Sequence, residues 1–190
     1  MSNKGRLIVV SGPTASGKST LWKRLVTHPK VDFSISATTR GIRKGEVDGE
    51  DYIFISKEAF EQRIASNEFL EYAIVHTNYY GTLRSSTEAS LNAGHDIVLE
   101  VDVQGALQLA ECKLPMVSLF VVPPSRKILI ERLRHRGTET EEQITTRLKA
   151  VDAELAFAKD YDYQLVNGDF EKMLAEAISI LGYAKENSNG

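Results

Sequence analysis

One junction near the amino terminus constrains this chain more than any other feature. A short β-branched run, Arg6-Leu-Ile-Val-Val-Ser11, leads directly into Gly12-Pro13-Thr14-Ala15-Ser16-Gly17-Lys18-Ser19. A continuous apolar run without alternation reads as a strand covered on both faces, the environment of a parallel sheet. Glycines at Gly12 and Gly17 let successive backbone N–H groups turn inward around an anion, Lys18 adds a positive charge and Ser19 a hydroxyl. The residues from Ser19 to Val26 are compatible with a helix, so the loop falls at a helix N-terminus, where the dipole also favours negative charge. This predicts an ATP-type site held by Gly12, Pro13, Thr14, Ala15, Ser16, Gly17, Lys18, Ser19 and Thr20. Lys18 would neutralise the β- and γ-phosphates, and Ser19 would join the shell of a Mg²⁺ cofactor. The acceptor of a transferred group is left open.

The remaining pattern supports one α/β core with an insertion, which suits a chain of 190 residues. Ile97 to Val103 and Val117 to Val122 read as buried strands, the second ended by Pro123-Pro124, and Tyr163 to Val166 as a shorter one. From 33 to 80 the pattern changes to short β-rich pieces (Phe33 to Ser36, Tyr52 to Ile55, Phe69 to Val75) with turns at Gly41, Gly45 and Gly49. Its helical segment is Lys57 to Ala65, with Ser56 as N-cap. After Pro124, Ile128, Leu129 and Leu133 mark a helix ended by Gly137. Thr140 with Gln143 opens a second, striped by Ile144, Leu148, Val151 and Leu155. Asp169 caps a last helix whose buried side is Met173, Leu174, Ala177, Ile178 and Leu181, and the tail from Lys185 frays.

A net charge of -3 argues against a nucleic-acid partner, since no global cationic field is present. No apolar run approaches the roughly 20 residues that span a bilayer, and the opening residues lack a signal-peptide core. One cysteine, Cys112, cannot form an internal disulfide. A cytoplasmic protein without a membrane partner is expected. The four histidines show no catalytic arrangement.

Residues 36 to 52 concentrate Ser36, Thr39, Arg40, Arg43 and Tyr52 around glycine turns, a set able to clamp a second phosphate. Together with Glu68-Phe-Leu-Glu71-Tyr, Asn78-Tyr-Tyr-Gly-Thr82, Glu100-Val-Asp102-Val-Gln-Gly105 and Arg136-Gly-Thr-Glu-Thr-Glu-Glu142, these motifs make nearly the whole chain resemble guanylate kinases. The resemblance implies a P-loop NTPase-type parallel sheet flanked by helices, with an inserted small β-rich GMP-binding subdomain at about 33–82 and a helical lid at about 125–149. The core would then be 1–32, 83–124 and 150–190. It implies transfer of the ATP γ-phosphoryl group to GMP, and to dGMP beside it, in purine nucleotide metabolism. Arg40, Arg43, Tyr52 and Tyr80 match positions that hold the GMP phosphate, while Ser36, Glu71 and Thr82 match those that read guanine. A carboxylate suits the N1–H and 2-amino donors of guanine, which adenine does not present.

Asp102 closes an apolar strand, where phosphate-loop enzymes place the carboxylate of the Mg²⁺ shell, and in the family this region also nears GMP. Glu100, two residues earlier on the same strand, would share its side. Lys18, Arg43, Arg132, Arg136 and Arg147 match the catalytic cations, the last three being lid arginines, and Asn167 matches a residue near adenine. Scaffold domains resembling this family lose the phosphate loop, which is intact here. A kinase for a ribose bisphosphate is disfavoured by Glu71 and the Tyr79-Tyr80-Gly81-Thr82 segment. Ala15 departs from the glycine common at its position. Monomer and homodimer are both compatible with the sequence.

Overall fold

The computed structural model describes residues 4–75, 77–135 and 141–183. The first half of the chain gives β1 (Leu7–Ser11), α1 (Lys18–Leu25), β2 (Val31–Phe33), β3 (Ala37–Thr38), β4 (Ile53–Phe54), α2 (Lys57–Ala65), β5 (Phe69–Val75) and β6 (Asn78–Leu83). The second half gives α3 (Arg84–Asn92), β7 (Asp96–Glu100), α4 (Val103–Glu111), β8 (Met116–Val122), α5 (Arg126–His135), α6 (Glu141–Ala156), β9 (Tyr163–Val166) and α7 (Phe170–Leu181).

Five strands form a parallel sheet in the order β2-β7-β1-β8-β9. The unbroken apolar character of β1 follows from its central place: Leu7, Ile8, Val9 and Val10 have no exposed surface. Ile8 and Val10 pack against Leu21 and Leu25 of α1 and Met173 and Ala177 of α7. Leu7 and Val9 face the other way, towards Leu91 of α3 and Leu109 of α4. Each such side chain contributes roughly 1.5–3 kcal/mol of burial, which makes this layered core the rigid base of the molecule.

Four strands in the order β4-β3-β6-β5 form a second, mixed sheet. Its own core is Ala37, Phe60, Phe69 and Leu83, with the Phe60 and Phe69 rings stacked 4.3 Å apart. Ser56 caps α2 by accepting from the Ala59 N–H, as its position before the helix leads one to expect. Asp169 does the same for α7 through Lys172. A further small cluster, Leu129, Leu133 and Val151, joins α5 to α6.

Two sequence expectations are corrected. Phe33 belongs to the parallel sheet and not to the insertion, because β2 pairs with β7 through Val31, Asp32 and Phe33. The apolar run from Ile97 to Val103 is not one strand: β7 stops at Glu100, and Asp102 is the N-cap of α4, accepting from the Gly105 N–H at 2.8 Å. Glu100 and Asp102 are therefore not two steps along one strand. Gly137, Thr140 and the tail from Lys185 lie outside the described residues.

Candidate active site

The loop from Gly12 to Gly17 leaves the carboxyl end of β1, the central strand, where open α/β sheets collect ligands. A cleft of about 450 Å³ opens beside it, lined by Lys18 from the loop side, Glu71 and Tyr80 from the second sheet, and Glu100 and Asp102. That volume is in the range of small-molecule sites.

On the loop side, the backbone adopts positive φ at Gly12 (146°), Ala15 (60°) and Gly17 (99°). At Gly17 the need for glycine is twofold, since an added Cβ would stand 2.0 Å from the Asn167 side-chain nitrogen. Asn167 is buried and donates through Nδ2 to the Ser16 carbonyl at 2.7 Å. Arg132 of α5 donates to the Asn167 carbonyl at 2.9 Å and approaches those of Ala15 and Ser16 at 3.5 Å. In this structure Asn167 and Arg132 thus brace the loop backbone. The strand register brings Glu100 alongside, because Val10 and Glu100 are paired between β1 and β7. The Ser19 hydroxyl lies 3.2 Å from both Glu100 carboxylate oxygens, and Lys18 Nζ lies 3.8 Å from one. Glu100, and not Asp102, is the carboxylate in contact with Ser19; the helix-capping bond turns Asp102 towards Gly105 instead.

Opposite the loop, a register shift in β5 between Phe69 and Glu71 breaks the strand's alternation. Bulges of this kind re-aim side chains beside functional sites. Phe69 packs inward with Phe60 and Leu83, while Glu71 and Ala73 turn into the cleft. Glu71 is only 5% exposed and accepts a 2.6 Å hydrogen bond from Thr82, its cross-strand partner in β6. Burial raises its carboxyl from the ordinary 4.5 to about 7, with nearby Asp102 pushing the same way and the Thr82 hydroxyl opposing. Gly105 in α4 leaves room for it: a Cβ there would fall 2.6 Å from Glu71 Oε2. Strand alternation also separates the two tyrosines. Tyr80 lines the cleft, and Tyr79 stacks on Phe60 at 4.9 Å in the sheet's own core.

Ser36, Arg43 and Tyr52 line the same cleft. Arg40 is held just behind them, bonding Glu46 through both terminal nitrogens at 3.0 and 2.8 Å. Its guanidinium lies 5.3 Å from the Tyr52 ring centre. The pair lowers the Glu46 carboxyl below its usual range, chiefly through that hydrogen bond. Tyr52 is pushed up by burial and meets Tyr80 edge-on at 5.8 Å.

Glu154 of α6 also faces the cleft, and burial raises its carboxyl, with Lys18 opposing. The sequence carried a signal for it, an acid three residues after Val151 on the buried stripe of that helix. Arg136 lies outside the described residues, as does the side chain of Arg147.

The whole described chain matches known proteins. The family model for guanylate kinase covers residues 4–183. A guanylate kinase of Clostridium tetani is 44% identical over 182 residues, spanning 96% of this chain and 88% of that protein. One from Rickettsia felis is 41% identical over 192 residues, spanning 99% and 98%. Among solved structures, the guanylate kinase of Anaplasma phagocytophilum superposes with a TM-score of 0.77 at 34% identity, over 95% of this chain and 86% of that one. A two-sided cleft, with a phosphate loop on one wall and a buried carboxylate on the other, thus sits in a chain that belongs to the guanylate kinase family.

Proposed function

We propose that this chain transfers the γ-phosphoryl group of ATP to GMP, with the donor on the Gly12–Ser19 loop and the acceptor against Glu71. The observation that carries the acceptor assignment is the buried Glu71 carboxylate, bonded to Thr82 and aimed into the cleft opposite Lys18. A carboxylate can accept more hydrogen bonds than Thr82 supplies, and guanine offers two donors on one edge. On this reading Ser36 would meet the same base, with Thr82 acting through its bond to Glu71, and Arg43, Tyr52 and Tyr80, with Arg40 behind them, would take the acceptor phosphate. Asp102 borders the acceptor side.

Ser19 and Glu100 offer a hydroxyl and a carboxylate beside the loop, hard oxygen donors of the kind Mg²⁺ accepts when it also binds nucleotide phosphates. Bound there, Mg²⁺ would neutralise charge on the phosphates. The chain's own part is positioning. The loop N–H groups and Lys18 would hold the donor phosphates, Asn167 and Arg132 keep the loop in shape, and Arg43, with Arg136 and Arg147 from the lid, would balance charge on the group in flight. The acceptor phosphate is already anionic, so no protein base or nucleophile is required. Closure of the insertion and lid would exclude competing water. The single cysteine suits a reducing cytoplasm, and no helix among the described residues is long and apolar enough to cross a membrane.

Equilibrium binding of GMP, IMP and AMP tests the acceptor reading. IMP lacks the 2-amino group and should bind roughly tenfold more weakly than GMP, with AMP weaker still because it leaves Glu71 unpaired. Equal affinity for AMP and GMP would refute it.

A further inference from the structure

Trp22 is the sole tryptophan in the sequence. It stands in α1 three residues after Ser19 and four after Lys18, and so shares their helix face. All three meet the same group: the Trp22 indole N–H donates to Glu100 Oε2, the carboxylate that faces Ser19 and Lys18. The indole is itself immobilised, stacked on Phe33 with ring centres 3.8 Å apart and planes 9° from parallel. Phe33 ends β2 and is paired with Val98, two residues before Glu100 on β7. The ring therefore reaches from the helix that follows the phosphate loop onto Phe33 of the edge strand β2, with its N–H on Glu100 at the end of neighbouring β7.

A partly exposed glutamate has several rotatable bonds and loses much rotamer freedom when it is fixed. A rigid, donor-only indole removes part of that freedom in advance, and it cannot compete as a cation ligand because it has no acceptor. We propose that Trp22 is a positioning residue, holding the Glu100 carboxylate against the phosphate loop in the orientation that meets the divalent cation carried by the donor nucleotide. This rests on the reading of Ser19 and Glu100 as the cation-facing pair. Groups that orient a cation's ligands in this way are commonly worth 10- to 100-fold in metal affinity.

The test compares wild type, Trp22→Phe and Glu100→Gln, measuring by calorimetry the affinity for ATP with Mg²⁺ and for ATP in EDTA. Trp22→Phe keeps a ring against Phe33 and removes the N–H. It should weaken MgATP binding about tenfold and leave metal-free ATP and GMP binding unchanged. A lower melting temperature with an unchanged ratio of MgATP to ATP affinity would overturn the proposal, since packing alone would then explain Trp22. If Glu100→Gln also keeps that ratio, the reading of Glu100 itself fails. If Glu100→Gln loses the ratio and Trp22→Phe does not, only the role of Trp22 fails. A second readout needs no ligand: Glu100→Gln should change the emission spectrum and lifetime of Trp22 in the free protein, and identical emission would overturn the pairing.

Discussion

Glu71→Gln should make the nucleotide-free protein more stable at alkaline pH while weakening its hold on GMP. In the folded protein burial raises this carboxyl from 4.5 to about 7, so ionising it in place costs about 3 kcal/mol. The sign follows from proton binding. Below about pH 4.5 both folded and unfolded chains hold the proton, and the group contributes nothing to pH dependence. Between about pH 4.5 and 7 the unfolded chain has lost a proton that the folded one keeps, so stability falls as pH rises. Above about pH 7 the full penalty is present. Glutamine has nearly the same shape, can accept the Thr82 hydroxyl bond through its carbonyl, and does not titrate. The difference in stability between variant and wild type should therefore be near zero at pH 4.5 and approach about 3 kcal/mol at pH 8, roughly 6–12 °C in Tm for a chain of this size. Titrating groups that do not interact with Glu71 cancel in that difference. Denaturant melts of both proteins across pH 4.5–8 are the assay, with GMP titrations alongside. A stability difference that does not change with pH would refute the claim that Glu71 is held in a buried, costly position for its ligand.

Gly105→Ala places a methyl 2.6 Å from Glu71 Oε2 and should raise KM for GMP tenfold or more with little change in KM for ATP; equal effects on both would contradict the packing argument. Gly17→Ala combines a positive φ with a clash against Asn167, so ATP binding measured by calorimetry should be lost while GMP binding persists. Asn167→Ala removes the amide that supports the Ser16 carbonyl and should cost about 1–3 kcal/mol in stability or donor affinity, read from melts and ATP titrations. Ser56→Ala, which removes the α2 cap, should cost about 1 kcal/mol in denaturant melts and leave turnover intact.

The donor half of the site was legible in the sequence because it is local: strand, loop and helix are consecutive, and their geometry follows from glycines and a helix N-terminus. The caps at Ser56 and Asp169, and the bounds of α2, β5 and β9, were legible for the same reason. The end of β7 is not legible because Val101-Asp102-Val103 looks alike as a buried strand and as the start of a buried helix. The capping power of Asp102 decides for the helix, and moving that boundary exchanges Asp102 for Glu100 beside Ser19. Short β3 and β4 leave little periodicity to read, and Phe33 joins the parallel sheet through pairing with a strand more than sixty residues away. Gly105 and Trp22 are not legible because each gains its role from a partner distant in sequence: the tip of Glu71 and the carboxylate of Glu100.

Phosphoryl transfer to GMP is tested most directly by steady-state turnover from MgATP with GMP, AMP, CMP and UMP under identical conditions, with Lys18→Ala as control. Turnover with GMP should exceed that with the other three by orders of magnitude and be lost in a folded Lys18→Ala variant. Comparable turnover with AMP, or undiminished transfer without the Lys18 ammonium, would contradict the proposed reaction.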